Sequence, residues 1–225
     1  MTILVKVCGL RTPQEVAWAA AADACGVVVE SPSSQRSLTV DAAARLLGSV
    51  PGSARRVAVT TCTDLARLVE IAEELPIDAL QPQALSAMSS LQGLRRNLPS
   101  RIGLIPVLRV PTAATYLAPS AVASLADLDT VAAMATWVLL DTHSATAGGG
   151  GGIVGDWVAA SRVREGLSRV PVFLAGGLGP DNVAQAIAQV RPSGVDASSG
   201  LERNGGKDQM LIDAFFEAAR SVAHR

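Results

Sequence analysis

Short apolar runs alternate with longer stretches in which apolar residues recur about every three to four positions, from one end of the chain to the other. The runs ILVKV, GVVVE, RVAVT, DALQ, GLIPVLRV, TWVLLD, VPVFLA and GVDA are rich in Val, Ile or Leu and are closed by polar residues or glycine. Those are the marks of buried strands. Between them lie TPQEVAWAAAADA, TVDAAARLLGS, DLARLVEIAEEL, ALSAMSSLQGLRRNL, a proline-interrupted Ala-rich region from Thr112 to Ala135, DWVAASRVREGLSR, PDNVAQAIAQV and DQMLIDAFFEAARSV. Thr12-Pro13, Asp64, Asp156 and Pro180-Asp181 suit first helical turns, where a side-chain oxygen takes an orphan N–H and a proline has none to lose.

Eight strands, each followed by a helix, predict an α/β fold closed as a single (β/α)8 TIM barrel, one domain over residues 1–225. An open doubly wound sheet is the alternative, and its first turn would carry G-x-G-x-x-G. Here that turn reads VCGLRTPQE, with one glycine. The barrel is preferred.

Charge narrows the partners. A formal net charge of −1 gives no field to attract nucleic acid or an anionic membrane, so an anionic ligand must be held by local groups. Cys8, Cys25 and Cys62 form no C-x-x-C pair, which suits a reducing cytoplasm and carries no metal signature. Cys25, at the end of the first predicted helix, reads as core. The opening MTILVKVCGL places Lys6 inside its apolar run and shows no cleavage-like pattern, so no signal peptide is expected. Asp127 and Asp129 interrupt the most hydrophobic region, and no membrane span is expected.

In a barrel of this kind, chemistry collects where the strands end and the following loops converge. The polar residues at those ends are Cys8, the segment to Arg36, Gln81 and Gln83, Arg109, Asp141, and Asp196 with SSGLE. After the seventh and eighth strands, AGGLGPDN and DASSGLE offer side-chain-free backbone near helix starts, which suits a phosphate. Gly176, Gly177, Ser199 and Gly200 are the candidate donors, although glycines there also make tight turns. Cys8 and Asp141 are the acid–base candidates. Lys6 lies two residues before Cys8 on the same strand face, where it either favours the thiolate or is a structural charge of the interior. Asp141 closes an apolar strand, and partial desolvation disfavours the charged form of a carboxyl, which suits a general acid. The five glycines Gly148 to Gly152 that follow read as a loop able to cover a substrate. One acid and one base on separate strands fit an isomerisation that needs no metal and no redox cofactor.

These segments resemble the phosphoribosylanthranilate isomerase family in order and over the whole chain: KVCGLRTPQE, the arginine-terminated SPSSQR, VLLDT, PVFLAGGLGPDNV, GVDASSGLE and GGKD. The resemblance implies an Amadori rearrangement of N-(5-phosphoribosyl)anthranilate to the 1-deoxyribulose product in tryptophan biosynthesis, with Asp141 protonating the ribose ring oxygen and Cys8 removing the proton from the neighbouring carbon. It also implies that Arg36 pairs with the anthranilate carboxylate, that Gly176, Gly177, Ser199 and Gly200 hold the phosphate, and that Asp196 lines the site. The walls depart from the family. Where it usually carries Gln-Leu-His-Gly, this chain has Gln81, Pro82, Gln83 and Ala84. Where Thr, Lys and Phe are usual in the sixth loop stand Gly151, Ile153 and Gly155. A related enzyme taking a different amine is therefore the second reading. A non-catalytic phosphosugar-binding barrel is the third, and the presence of both Cys8 and Asp141 argues against it.

Overall fold

The computed structural model describes residues 2–110, 125–142 and 156–222. In chain order the barrel elements are β1 (Leu4–Cys8), α1 (Pro13–Trp18), β2 (Ala24–Val29), α2 (Val40–Leu47), β3 (Arg55–Thr60), α3 (Leu65–Glu74), β4 (Ala79–Pro82) and α4 (Met88–Asn97). They continue with β5, in two pieces (Gly103–Leu104 and Val107–Arg109), then α5 (Leu125–Met134), β6 (Val138–Asp141), α6 (Trp157–Gly166), β7 (Val172–Ala175), α7 (Val183–Val190), β8 (Gly194–Ala197) and α8 (Gln209–Ser221). All barrel pairings are parallel, and β1 joins β8, so the two ends of the chain share one sheet.

The cylinder closes through β5. Its first piece pairs with β4 and its second with β6. Pro106 lies between them and has no N–H to give to a ladder. The Ile105 N–H donates to the Leu80 carbonyl at 2.9 Å, while the Pro106 carbonyl accepts from Leu139 at 3.0 Å. The strand therefore changes partner at Ile105–Pro106, and the predicted eight-stranded barrel is completed there.

Helix starts follow the capping chemistry. Thr12 accepts from the Glu15 N–H, and the Glu15 carboxylate reaches back to the Thr12 N–H, a reciprocal box. Asp64, Asp156 and Asp208 cap α3, α6 and α8. Two expectations shift. The first helix ends at Trp18 rather than running through the alanines, because the Asp23 carboxylate accepts the Val5 N–H at 2.8 Å and draws Ala24 into register with Lys6. Cys25 is buried as expected, but in β2 rather than on a helix. The seventh helix begins after Asn182 instead of at Pro180-Asp181. The glycine run 148–152 and the stretch 112–124 of the Ala-rich region lie outside the described residues. No helix among the described residues is long and apolar enough to cross a membrane.

The two-residue side-chain period of the strands divides the core. Val5 and Val7 face the helical shell, whereas Lys6 and Cys8 point into the barrel. A second apolar layer there, including Val57, Ile105, Leu139 and Phe173, fills the barrel below the rim.

Candidate active site

A cavity of about 310 Å³ opens at the C-terminal ends of the strands. Cys8, Arg36, Asp141, Gly176, Gly177, Asp196 and Ser199 all line it, so side chains expected from separate loops meet in one place. Gly200 does not line it. A Cβ at Gly200 would stand 2.0 Å from the Leu178 carbonyl oxygen, so that glycine lets the turns after β7 and β8 pack backbone on backbone. Gly176 and Gly177 have φ of 101° and 66°, the left-handed region that favours glycine. Of the N–H groups that follow, that of Gly179 is taken by the Asn182 side chain at 2.9 Å.

Beneath the cavity lies a buried ion pair. Lys6 and Asp196 are in register across β1 and β8, and Lys6 Nζ donates to Asp196 Oδ2 at 2.7 Å. Burial works to strip the proton from Lys6, but the charges of Asp196 and then Cys8 hold its pKa above the usual value. Lys6 is thus a fixed interior cation. Its charge favours the Cys8 thiolate, but burial pushes the thiol above its ordinary value and Lys6 offsets this only in part. Both roles left open for Lys6 by the sequence have support: it is a paired charge of the interior, and it pulls the Cys8 thiol down against the effect of burial.

Asp141 ends β6, 9% exposed at the rim. Gln83 Nε2 donates to its Oδ2 at 3.3 Å, and Gln81 Nε2 donates to Gln83 Oε1 at 2.9 Å. Residues two apart share a strand face, so Pro82 sets two amides side by side towards the acid. The Gln83 N–H binds the Thr60 carbonyl at 2.7 Å and fixes that spacing. Arg109, largely exposed, brings Nη1 to 3.8 Å from Asp141 Oδ2.

Arg36 reaches the cavity from the loop after β2, which carries a further short strand, Ser37–Leu38, against β2. Its guanidinium is not a solvated loop charge. Nε and Nη2 both donate at 2.6 Å to the two carboxylate oxygens of Glu202. Lys207 Nζ donates to the same Glu202 carboxylate at 2.7 Å and to the Ser198 carbonyl at 3.1 Å. Burial raises the Glu202 pKa, but hydrogen bonds from Arg36 and Lys207 outweigh it and bring the pKa down to about 2. Burial pulls Lys207 below its usual value, with Glu202 opposing. Glu202 and Lys207 were not singled out from the sequence as site residues. They flank Asn204 and Gly205, whose φ values of 54° and 81° turn the antiparallel hairpin Glu202–Arg203/Gly206–Lys207. Asn-Gly is a strong short-range hairpin signal, and it marks both residues.

Compared with known proteins, residues 5–218 match the family described as N-(5'phosphoribosyl)anthranilate (PRA) isomerase. The N-(5'-phosphoribosyl)anthranilate isomerase of Methanothrix thermoacetophila is 36% identical over 219 residues, covering 96% of this chain and 98% of that protein. The structure of the enzyme of that name from Pyrococcus furiosus aligns with a TM-score of 0.74 at 27% identity, covering 98% of this chain and 100% of the other. A phosphoribosyl anthranilate isomerase in complex with reduced 1-(o-carboxyphenylamino)-1-deoxyribulose 5-phosphate aligns with a TM-score of 0.71 at 25% identity, covering 97% and 99%.

Proposed function

Because this chain belongs to the phosphoribosylanthranilate isomerase family, we propose that it converts N-(5-phosphoribosyl)anthranilate to 1-(2-carboxyphenylamino)-1-deoxyribulose 5-phosphate in tryptophan biosynthesis. The observation that carries this reading is the meeting of Cys8, Asp141, Arg36 and the two glycine turns around one cavity.

Asp141 protonates the ribose ring oxygen, the bond from that oxygen to the anomeric carbon breaks, and the amine lone pair forms an iminium. Cys8, as thiolate, takes the proton from the adjacent carbon, and the electrons of that C–H bond neutralise the iminium to give an enolamine. Tautomerisation then leaves a ketone at the second carbon and an amine-bearing methylene at the first. One carbon is oxidised as its neighbour is reduced, so the chemistry is an intramolecular oxidoreduction and balances without a cofactor or metal. The pair works with one proton between two groups: Asp141 holds it at the start and Cys8 at the end. The iminium charge that forms beside Cys8 adds to Lys6 in favouring the thiolate during turnover.

The phosphate is held by backbone N–H groups of Gly176, Gly177 and Ser199, with Gly200 bringing the two turns together. Asp196 lines the floor beside Lys6, and Arg36 receives the anthranilate carboxylate. The phosphorylated substrate is the expected partner, without nucleic acid or membrane. The whole chain, residues 1–225, is one barrel domain, supported by the pairing of its first and last strands. Three free cysteines support a cytoplasmic setting.

Complementation of an isomerase-deficient tryptophan auxotroph tests the substrate, and failure of a well-expressed chain to restore growth refutes it. Cys8→Ala and Asp141→Asn should each remove most turnover while binding of a phosphorylated product analogue stays nearly intact. Normal rates in either variant would overturn the acid–base roles of the pair.

A further inference from the structure

Arg36 has one task in the reaction, yet its guanidinium has two edges. The side-on edge, Nε with one Nη2 hydrogen, is occupied by Glu202 at 2.6 Å on both bonds. A guanidinium carries five N–H donors in a fixed fork, so the end-on edge made by Nη1 and the outer Nη2 hydrogen can still receive a second carboxylate. Glu202 is in turn held by a second cation at the same oxygen. Lys207 is 1% exposed and bonds it at 2.7 Å, while the Lys207 backbone N–H donates to Glu15 Oε1 at 3.1 Å, tying the hairpin to the capping box of α1. The Arg36 stem lies over Gly9, where a Cβ would come 2.6 Å from Arg36 Cδ. Lys207 Nζ and Arg36 Nε share Glu202 Oε1, so two cations meet at one carboxylate and leave a positive charge in excess that an anion on the cavity side can balance.

We propose that Glu202, held by Lys207, is a positioning residue that fixes Arg36 end-on towards the cavity and so selects substrates whose aromatic amine carries a carboxylate. The inference rests on the isomerase reading and its assignment of Arg36. Without Glu202 the arginine is a half-exposed, rotamer-rich side chain next to a buried ammonium that repels it. With Glu202 its orientation is set before the substrate arrives, so the ordering cost of binding is reduced. The phosphate and the acid–base pair are contacted by other residues, and because Lys207 also donates to the Ser198 carbonyl, a probe without the carboxyl measures any change on that side.

The test uses two stable probes, 1-(2-carboxyphenylamino)-1-deoxyribitol 5-phosphate and its counterpart lacking the carboxyl, titrated by calorimetry into the whole protein. The wild type should prefer the carboxylated probe. Glu202→Gln should cut that preference about tenfold, the scale of a charge-assisted hydrogen bond, and leave affinity for the phenyl probe within about threefold. Glu202→Asp, which keeps the charge but retracts it, should lose preference in the same way and guards against a misfolded Gln variant. In turnover, both should raise KM with kcat nearly unchanged. Equal weakening towards both probes, or an unchanged preference, overturns the inference. Arg36→Met separates the two levels: if it abolishes the preference while Glu202→Gln does not, only the role of Glu202 falls. If Arg36→Met keeps the preference, the carboxylate assignment of Arg36 falls as well.

Discussion

Replacing Lys6 with methionine removes an ammonium from the buried floor of the barrel. The side chains of Lys6 and Asp196 are 0% and 6% exposed, with nitrogen and oxygen 2.7 Å apart. Methionine keeps most of the apolar stem, so the packing of the barrel floor changes little. What remains is a buried carboxylate, and its Oδ1 has no hydrogen-bond partner among the described residues even in the wild type. Removing one member of a buried pair typically costs about 3–5 kcal/mol. In a chain of this size each kcal/mol moves Tm by roughly 2–4 °C, so Lys6→Met should melt about 6–20 °C lower at neutral pH.

The pH dependence identifies the cause. Burial already pushes the Asp196 carboxyl above its ordinary value, against the opposing pull of Lys6, and loss of Lys6 pushes it further. A group whose pKa is higher in the folded state than in the unfolded state binds more protons when folded, so stability falls as pH rises through the folded value. The deficit of Lys6→Met relative to wild type should therefore be small near pH 4, close to the unfolded carboxyl value, and grow as pH rises. Chemical denaturation of both proteins across that range, read as a difference at each pH, measures it. Lys6→Met combined with Asp196→Leu removes both charges and should recover most of the loss. A deficit below about 1 kcal/mol at neutral pH that does not vary with pH would refute the argument, because such a pair would not be holding a desolvated charge.

Other outcomes follow from the same geometry. Iodoacetamide should modify Cys8 slowly at neutral pH, with a rate still climbing beyond pH 9, the ordinary value above which burial pushes this thiol. Peptide mass spectrometry resolves it from the partly exposed Cys62, and a Cys8 rate that levels off below pH 8 contradicts the burial argument. Gly200→Ala must move the Leu178 carbonyl, so it should cost about 1–3 kcal/mol of stability and weaken phosphate-probe affinity; a neutral substitution on both measures breaks the link between the two turns. Gln83→Leu removes the N–H donated to Asp141 and should lower kcat about tenfold with KM within about twofold. In the Asp141→Asn background the same change should do nothing further, and an additive loss there argues against a role through Asp141.

Much of the fold was legible because it rests on local rules. Val5, Lys6, Val7 and Cys8 alternate between shell and barrel as their period dictates, and Thr12, Asp64 and Asp156 start helices through oxygen atoms that the sequence displays. The errors arise where a contact distant in sequence overrides a local rule. The alanines after Trp18 are good helix formers, but a contact between Asp23 and the Val5 N–H, 18 residues away, decides where the chain turns. Propensity knows nothing of that contact. The balance between Lys6 and Cys8 stayed open in the sequence for a related reason. Sequence spacing puts a cation near the thiol, but only the packed barrel reveals that both are desolvated and that the Asp196 carboxylate lies 2.7 Å from that cation.

The site shows the same division more sharply. Cys8, Asp141 and the glycine turns were recognisable because each sits at the end of its own strand, and the architecture brings strand ends together whatever the loops contain. Arg36 was recognisable as a candidate but not in its state, since its partner Glu202 is 166 residues away and becomes a neighbour only when β1, β2 and β8 come together in the closed barrel. That distance has a consequence for function. An arginine oriented by its own loop would lose its aim whenever the loop sequence drifted. One oriented by a hairpin on the other side of β1 keeps its aim as long as Glu202, Lys207 and the turn at Asn204–Gly205 remain. The loop after β2 can then vary around the arginine while the orientation of the guanidinium is set from across the rim. A shortened or lengthened SPSSQ segment should accordingly change KM far less than a disrupted Asn204–Gly205 turn, for instance Gly205→Val, whose β-branched side chain is disfavoured at φ 81°.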